Sequence, residues 1–119
     1  MDIKPGDLFW ILPNDTNEIA SDHTHPHVVV HVNAQGTVVV CALTSNLKRA
    51  KEPGNVLLDE GEANLQKQSV VVASQVTTVD TTQVGEYIGT LSEQRVHQVL
   101  AGIHFLEFMT QHHEREGNS

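Results

Sequence analysis

The chain has 119 residues, of which 39% are hydrophobic, 18% are charged and one is cysteine, and its formal net charge is −8 at pH 7. This length favours one domain, because two would each be too small to bury a good core. The composition excludes gross disorder and a disulfide scaffold, and no apolar run approaches the ~20 residues of a transmembrane helix. Residues 1–12 lack a signal-peptide pattern, so we expect a cytoplasmic protein with no membrane partner. The bulk acidity argues against non-specific binding of nucleic acid.

Clusters of valine and threonine predict that most of the chain forms β-strands. Two valine clusters joined by a short glycine-containing connection predict an antiparallel hairpin over residues 27–44. Cys41, inside the second cluster, is predicted to be a buried structural residue rather than a nucleophile. The other predicted strands lie at 8–12, 56–58, around 70–79 and around 87–88, and polar loops are predicted over 14–26, 46–54 and 59–68. Five to seven short strands predict a small twisted barrel or a strongly curled sheet.

The end of the chain predicts one amphipathic helix. Thr90 or Ser92 can cap its start, and Thr90 with Glu93 matches a capping box. The apolar residues that follow repeat at helical spacing: Val96, Val99, Leu100, Ile103 and Leu106. Three further apolar side chains widen this face, so we expect it either to pack against a second subunit or to be buried in the chain's own core. These three are Phe105, Phe108 and Met109. We expect a single domain over residues 1–112 and a frayed tail over 113–119.

Histidine is concentrated in one segment, where His23, His25 and His27 alternate with other residues. In an extended segment these three imidazoles lie on one face and could bind a metal ion such as zinc. The spacing matches none of the strong zinc signatures, and a solvated histidine-rich loop is the simpler interpretation. One of these histidines could instead act as a general acid or base, because imidazole titrates near neutral pH.

The segment from Thr44 to Lys51 leaves a buried strand with hydroxyl and amide side chains and then adds three positive charges. Hydroxyl and backbone N–H groups make directional contacts with a phosphate, and lysine and arginine supply charge. The segment therefore predicts either a local phosphate site or an ordinary polar loop with solvated charges. Residues 46–51 carry a net charge of +3 in an otherwise acidic chain, so the bulk charge does not exclude such a site.

Several segments together resemble the PemK/MazF family of bacterial toxins, from Gly6 to about Leu106. No single segment is specific, but six of them in the family's order and spacing make the resemblance strong. They are Gly6–Ile11, the proline-led valine strand Pro26–Val30, the strand Val38–Ser45 that ends in Thr-Ser, Pro53–Leu58, Ser69–Val72 with Gln75–Asp80, and Ile88–Ser92 at the entry to the last helix.

The resemblance implies a mainly β fold, an SH3-like small barrel of the PemK/CcdB-like kind with a C-terminal α-helix, that works as a homodimer. It implies an endoribonuclease that cleaves single-stranded RNA without a metal or other cofactor, through attack by the RNA's own 2′-hydroxyl. The implied protein partner is a cognate antitoxin, whose acidic and partly disordered tail covers the RNA groove.

The family's site is altered in this chain when it is carried over residue by residue. The family has an arginine directly before the strand proline, where this chain has His25. The family's threonine is present as Thr44, with Ser45 beside it. Some members use an Arg-x-Asp arrangement after the strand that starts at Ser69, and residues 72–74 here are Val-Ala-Ser instead. Arginine clamps a phosphate with two parallel hydrogen bonds, whereas histidine transfers protons near neutral pH.

Two functional hypotheses therefore stand beside the metal site. In the first, the chain is a toxin-type ribonuclease in which His25 and Thr44 are catalytic. The RNA phosphates are then held by Ser45, Asn46, Lys48, Arg49 and Lys51. In the second, the replaced arginine and the net charge of −8 indicate a catalytically degenerate module that regulates a toxin or binds DNA, RNA or an antitoxin.

Overall fold

A computed structural model describes residues 2–12 and 25–117 of the chain. Six strands and one long helix confirm the predicted mainly β fold with a C-terminal helix. The elements are β1 (Asp7–Ile11), β2 (Pro26–Val32), β3 (Thr37–Thr44), β4 (Val56–Leu57), β5 (Val70–Asp80), β6 (Val84–Thr90) and α1 (Glu93–Gly117). Short 3-10 helices at Leu47–Lys51, Glu62–Asn64 and Thr81–Gln83 lie in the connections. Most of the loop predicted over 14–26 lies outside the described residues.

The six strands form one curled antiparallel sheet in the order β4-β5-β3-β2-β1-β6, a half-barrel. The predicted hairpin is confirmed as β2 and β3, which pair antiparallel across a tight turn. Gly36 lies in that turn with φ +78°, a conformation that favours glycine. The Asn33 backbone N–H donates to the Thr37 carbonyl oxygen at 3.0 Å and closes the turn. The valine clusters therefore meet as neighbouring strands at the centre of the sheet.

Both faces of the central strands are buried, which explains why their apolar residues run continuously instead of alternating. Val28 belongs to a cluster packed under α1, whereas its neighbour Val29 belongs to a second cluster on the opposite face. The first cluster includes Leu43, Leu58, Val99 and Ile103, and the second includes Phe9, Val38, Val40 and Val79. The curl of the sheet gives a chain of this size two small cores instead of one.

The start of α1 differs from the predicted capping box. Ser92 is the cap, because its Oγ accepts the Arg95 backbone N–H at 3.2 Å. Thr90, predicted to pair with Glu93, is instead the last residue of β6. Its hydroxyl donates to the buried Asp7 carboxylate at 2.8 Å, so this tertiary contact replaces the local one. The capping box at Thr90 was therefore wrong.

The sequence predicted that the wide apolar face of α1 would either pack against a second subunit or be buried in the chain's own core. The outer part of this face is not buried in the chain's own core. Phe105, Phe108 and Met109 are 46%, 62% and 49% exposed, whereas Val99 and Ile103 on the inner face are buried. The helical backbone continues to Gly117, into the segment predicted to be a tail, and the domain boundary at 112 stays a prediction.

The inner face of α1 lies directly on the backbone that precedes β4. A Cβ added to Gly102 would lie 2.0 Å from the Gly54 carbonyl oxygen, so the two backbones touch at this point. None of the helices within the described residues combines the length and apolar character that crossing a membrane requires.

Candidate active site

A cleft of about 520 Å³ opens at one end of the sheet, where β2 begins and β3 ends. Residues of β1 and β6 form its floor on one side, and the connection between β4 and β5 forms the wall on the other. The lining residues are Trp10, His25, Pro26, Leu43, Thr44, Ser45, Asn64, Leu65, Gln66, Lys67, Ser69, Glu86, Tyr87 and Ile88. The predicted catalytic residues His25 and Thr44 both lie in it, together with the predicted phosphate ligand Ser45.

The register of the hairpin places the two predicted catalytic residues opposite each other. His27 pairs with Ala42 in the antiparallel ladder of β2 and β3. Continuing this register by two residues puts His25 directly across from Thr44. Directly opposed residues of an antiparallel pair have Cβ atoms about 5 Å apart, so both side chains can reach one small group in the cleft. Pro26 begins β2 and pairs with Trp10 of β1, so the tryptophan lies on the strand next to His25.

The hydroxyl group of Thr44 is oriented by the backbone that follows it. The Asn46 backbone N–H donates to Thr44 Oγ1 at 3.2 Å, which leaves the hydroxyl hydrogen free to donate elsewhere. The Asn46 side chain in turn accepts the Lys48 backbone N–H at 3.2 Å and caps the 3-10 helix Leu47–Lys51. Asn46 therefore stabilises the segment after Thr44, and its side-chain oxygen is already occupied.

The positive charges of the predicted phosphate segment lie outside the cleft lining. Arg49 pairs with the Glu52 carboxylate through Nε at 3.1 Å and through the terminal nitrogen at 2.9 Å. This hydrogen bonding raises the pKa of Arg49 and lowers the pKa of Glu52. Lys48 and Lys51 are exposed on the same short helix. Of the seven predicted site residues, the structure brings three together and leaves Asn46, Lys48, Arg49 and Lys51 beside the cleft.

Three chemically important residues of the cleft were missed in the sequence. Lys67 supplies a positive charge from the wall, Glu86 supplies a carboxylate from β6, and Trp10 supplies an aromatic ring that is 38% exposed. The sequence did contain a signal for Trp10, since it is the chain's one tryptophan and lies in a predicted strand. Lys67 and Glu86 gave no such signal, because only the closure of the fold brings their segments to the hairpin.

The wall of the cleft is held by close backbone packing against β6. A Cβ added to Gly89 would lie 2.1 Å from the Ala63 carbonyl oxygen. Asn64 Nδ2 donates to the Ile88 carbonyl oxygen at 3.2 Å. Ala63 and Asn64 both have positive φ, 52° and 65°, so this turn adopts a conformation that non-glycine residues rarely take. Arg95 of α1 binds the adjacent Glu62 carboxylate through Nε at 2.9 Å and ties the wall to the helix.

Within the described residues, the predicted histidine cluster does not form a metal site. His27 Nδ1 lies 2.7 Å from the His25 carbonyl oxygen, and burial of its ring lowers the pKa of His27. No three histidine, cysteine, aspartate or glutamate side chains among residues 2–12 and 25–111 are grouped as metal ligands. His23, the third member of the predicted cluster, lies outside those residues.

Cys41 is the buried structural residue that the sequence predicted. Its Sγ is fully buried and donates to the Val72 carbonyl oxygen at 3.1 Å. Burial raises the pKa of this thiol to about 12, so it stays protonated and is not a nucleophile at neutral pH.

The described residues of the cleft therefore combine an imidazole, a carboxylate, an ammonium group, an indole ring and the hydroxyls of Thr44, Ser45, Ser69 and Tyr87 around one volume. Ammonium and hydroxyl groups suit phosphate oxygens, and an exposed indole suits a nucleobase face. Imidazole and carboxylate can transfer protons. This set of groups can bind a nucleotide and exchange protons with the atoms around its phosphate.

The chain resembles known toxins in sequence and in fold. The family model described as "PemK-like, MazF-like toxin of type II toxin-antitoxin system" matches residues 4–106. The "Endoribonuclease MazF" proteins of Staphylococcus saprophyticus and Staphylococcus epidermidis are 32% and 33% identical to this chain over 63 residues. Each alignment covers 53% of this chain and 52% of the relative, so the chain spans about half the length of the curated relatives it matches.

Solved structures share the fold at lower sequence identity. A mycobacterial endoribonuclease in complex with its cognate antitoxin superposes with a TM-score of 0.67 at 18% identity, over 86% of this chain and 91% of that one. The Mycobacterium tuberculosis toxin MazF-mt6 gives 0.65 at 17% identity, over 84% and 92%. These likenesses confirm the predicted fold. Together with the family model, which matches most of the sequence, they lead to one conclusion: the chain belongs to the PemK-like, MazF-like toxin family of type II toxin–antitoxin systems.

Proposed function

We propose that this protein is a toxin-type endoribonuclease that cleaves single-stranded RNA without a metal ion. The observation that carries the proposal is the cleft in which His25 lies across the hairpin from Thr44, with Lys67 on the facing wall. Its membership of the toxin family supports the same activity, and the staphylococcal relatives are named endoribonucleases. An RNA substrate and a growth-inhibiting role are consistent with action in the cytoplasm.

The proposed reaction is an internal displacement at phosphorus. The RNA 2′-oxygen loses its proton and bonds to the adjacent phosphorus, while the bond from phosphorus to the 5′-oxygen breaks and that oxygen gains a proton. The products are a 2′,3′-cyclic phosphate and a 5′-hydroxyl end, and no water is consumed. His25 exchanges one of these protons, because imidazole can both donate and accept near neutral pH.

The remaining cleft groups bind and orient the RNA. The Thr44 hydroxyl, whose oxygen already accepts the Asn46 N–H, donates to a non-bridging phosphate oxygen. Ser45 adds a second hydroxyl donor, and Lys67 neutralises charge that develops on the phosphate. The indole of Trp10 stacks on a base next to the scissile bond. Lys48 and Lys51 are exposed beside the cleft and extend the positive path towards neighbouring phosphates, with Asn46 and the paired Arg49 in a supporting role.

The proposed assembly is a homodimer that a cognate antitoxin inhibits. The exposed apolar face of α1 and the family's usual assembly support a dimer, whose mass of about 26 kDa is twice the 13.1 kDa of one chain and is measurable by light scattering. The similar mycobacterial endoribonuclease is in complex with its cognate antitoxin, which supports a partner of that kind here. An acidic antitoxin tail suits a cleft that contains His25 and Lys67.

An RNA cleavage assay tests the activity. The wild type and His25→Ala are incubated with a single-stranded RNA library, with and without a chelator, and the product ends are identified. We expect metal-independent cleavage that His25→Ala lowers by about 10²-fold or more. His31→Ala removes an exposed imidazole outside the cleft lining and serves as the matched control. Full activity in His25→Ala would contradict the assigned role, and cleavage that stops with the chelator would contradict the metal-independent mechanism.

A second function is favoured by one observation, the histidine at the position of the family's arginine. Without a bidentate phosphate clamp, the cleft suits binding without turnover, in a catalytically degenerate module for nucleic acid or for an antitoxin. The same assay separates the two functions. Tight RNA or antitoxin binding by a wild type that cleaves nothing and arrests no growth when expressed would favour the binding module.

A further inference from the structure

We propose that Glu86 is the general base of the cleft and that His25 is the matching general acid. The inference rests on the proposed ribonuclease function and names the two groups that move its two protons. Internal displacement at phosphorus needs a base for the 2′-hydroxyl and an acid for the leaving 5′-oxygen, on opposite sides of the phosphate. Among the described residues, the cleft lining contains one imidazole and one carboxylate, and both are needed for this division of roles.

The strand register places these two residues on the two strands that flank β1, at the cleft. Pro26, next to His25, pairs with Trp10 of β1. On the other side of β1, Phe9 pairs with Tyr87 and Ile11 pairs with Val84, so the β6 segment opposite Trp10 contains Glu86. His25 and Glu86 therefore flank Trp10 on neighbouring strands, two interstrand spacings apart, or about 10 Å between backbones. Both residues line the cleft, whose volume of about 520 Å³ is large enough to hold a phosphate.

An irregularity in β6 occurs at the position that supplies the carboxylate. Between the pairs Phe9–Tyr87 and Ile11–Val84, one residue of β1, Trp10, opposes two of β6, Gly85 and Glu86, which is the count of a β-bulge. Bulges redirect the side chains of the bulged strand, and Glu86 lies within this one. The bulge is consistent with a carboxylate turned towards the cleft.

Glu86 has no structural partner in the described part of the chain. Its carboxylate makes no hydrogen bond or ion pair with the described side chains and backbone of residues 2–12 and 25–111. Other carboxylates near the cleft are engaged: Glu62 binds Arg95, and Asp7 accepts the Thr90 hydroxyl. A carboxylate that stabilises nothing in the fold is available to accept a proton from substrate.

Among the described residues, the titratable groups that line the cleft are His25, Lys67, Glu86 and Tyr87, from the start of β2, the wall and β6. Lys67 supplies a positive charge that can pair with the phosphate. In the proposed step the 2′-hydroxyl proton passes to the Glu86 carboxylate and the His25 imidazolium proton passes to the 5′-oxygen. The enzyme ends with a carboxylic acid and a neutral imidazole, and exchange with solvent restores both.

The first experiment compares Glu86→Gln with Glu60→Gln by kcat and by the pH dependence of kcat. Glu60 is an exposed carboxylate outside the cleft lining, so its variant repeats the same charge change elsewhere. We expect Glu86→Gln to lower kcat by about 10²- to 10⁴-fold and to remove the acidic limb of the pH profile, since amide cannot act as the base. We expect Glu60→Gln to stay within about 2-fold of wild type. Glu86→Asp keeps the carboxylate and should recover part of the rate.

A second experiment separates the acid from the base. An RNA in which sulfur replaces the bridging 5′-oxygen has a leaving group that departs as thiolate and needs no proton. We expect this substrate to restore most of the activity of His25→Ala and none of that of Glu86→Gln. Rescue of Glu86→Gln instead would overturn the assignment, and so would a Glu86→Gln variant as active as wild type on ordinary RNA. Failure of the wild type to cleave any RNA would overturn the proposed function itself, which is a different outcome.

Discussion

Replacing Gly89 with alanine is expected to displace the wall of the cleft. The added Cβ would lie 2.1 Å from the Ala63 carbonyl oxygen, whereas real Cβ contacts stay at 3.0 Å or more, so the turn at Ala63 must retreat by about 1 Å. The retreat breaks the 3.2 Å hydrogen bond from Asn64 to the Ile88 carbonyl, at a cost of about 1 kcal/mol. Overpacking adds about 1–3 kcal/mol, for a total of about 2–4 kcal/mol. At roughly 4 °C for each kcal/mol, Tm falls by about 8–16 °C.

Thermal unfolding and steady-state RNA cleavage measure the two consequences. Gly102→Ala is the matched control, because its Cβ would lie 2.0 Å from the Gly54 carbonyl oxygen, between α1 and the chain before β4. This clash also lowers Tm, partly offset by about 1 kcal/mol of better helix propensity. At a temperature where both variants are folded, we expect only Gly89→Ala to raise KM, since only its clash moves the cleft wall. A Gly89→Ala variant with Tm within about 2 °C of wild type and an unchanged KM would refute the reasoning.

Three further predictions follow from the cleft and its surroundings. Lys67→Ala is expected to weaken RNA binding by about 10- to 100-fold through loss of a charge-assisted phosphate contact, while Lys51→Ala, outside the lining, changes it less. Trp10 is the chain's one tryptophan, so its fluorescence should be quenched by an RNA that carries a 2′-deoxy nucleotide at the cleavage site, and unchanged fluorescence would exclude stacking. Burial lowers the pKa of His27 from 6.5, so the neutral ring contributes to the free energy of unfolding above that pH, and this contribution is lost as pH falls through the folded-state pKa. Measured by urea unfolding, His27→Gln should lose less of this free energy than wild type over the same pH range.

The sequence was sufficient to predict the central strands and one side of the cleft. Continuous valine clusters bounded by turn residues identify strands buried on both faces, and the short connection at Gly36 fixes β2 and β3 as a hairpin. Once that hairpin is known, its register brings His25 to Thr44, because both lie at the same open end. These are local relationships, which a single sequence contains.

The far side of the cleft depends on long-range closure, which no local pattern encodes. Lys67 and Glu86 are ordinary exposed residues of a loop and an edge strand until Gly89 meets the Ala63 turn. The capping box failed at Thr90 for the same reason, since the buried carboxylate of Asp7, 83 residues away, competes for its hydroxyl. The charge run is not uniform in the structure, because Arg49 pairs with Glu52, and its role in phosphate binding stays a prediction.

The burial of β3 on both faces has a consequence for how the protein loses activity. β3 is shielded from water on both sides, by Val38 and Val40 on one face and Cys41 and Leu43 on the other. We expect such a strand to open only when the whole domain unfolds. Thr44 ends that strand and His25 precedes the strand paired to it, so we expect the proposed chemistry to be anchored to backbone whose amide hydrogens exchange slowly. Heat inactivation should therefore coincide with global unfolding, with no inactive folded intermediate preceding it.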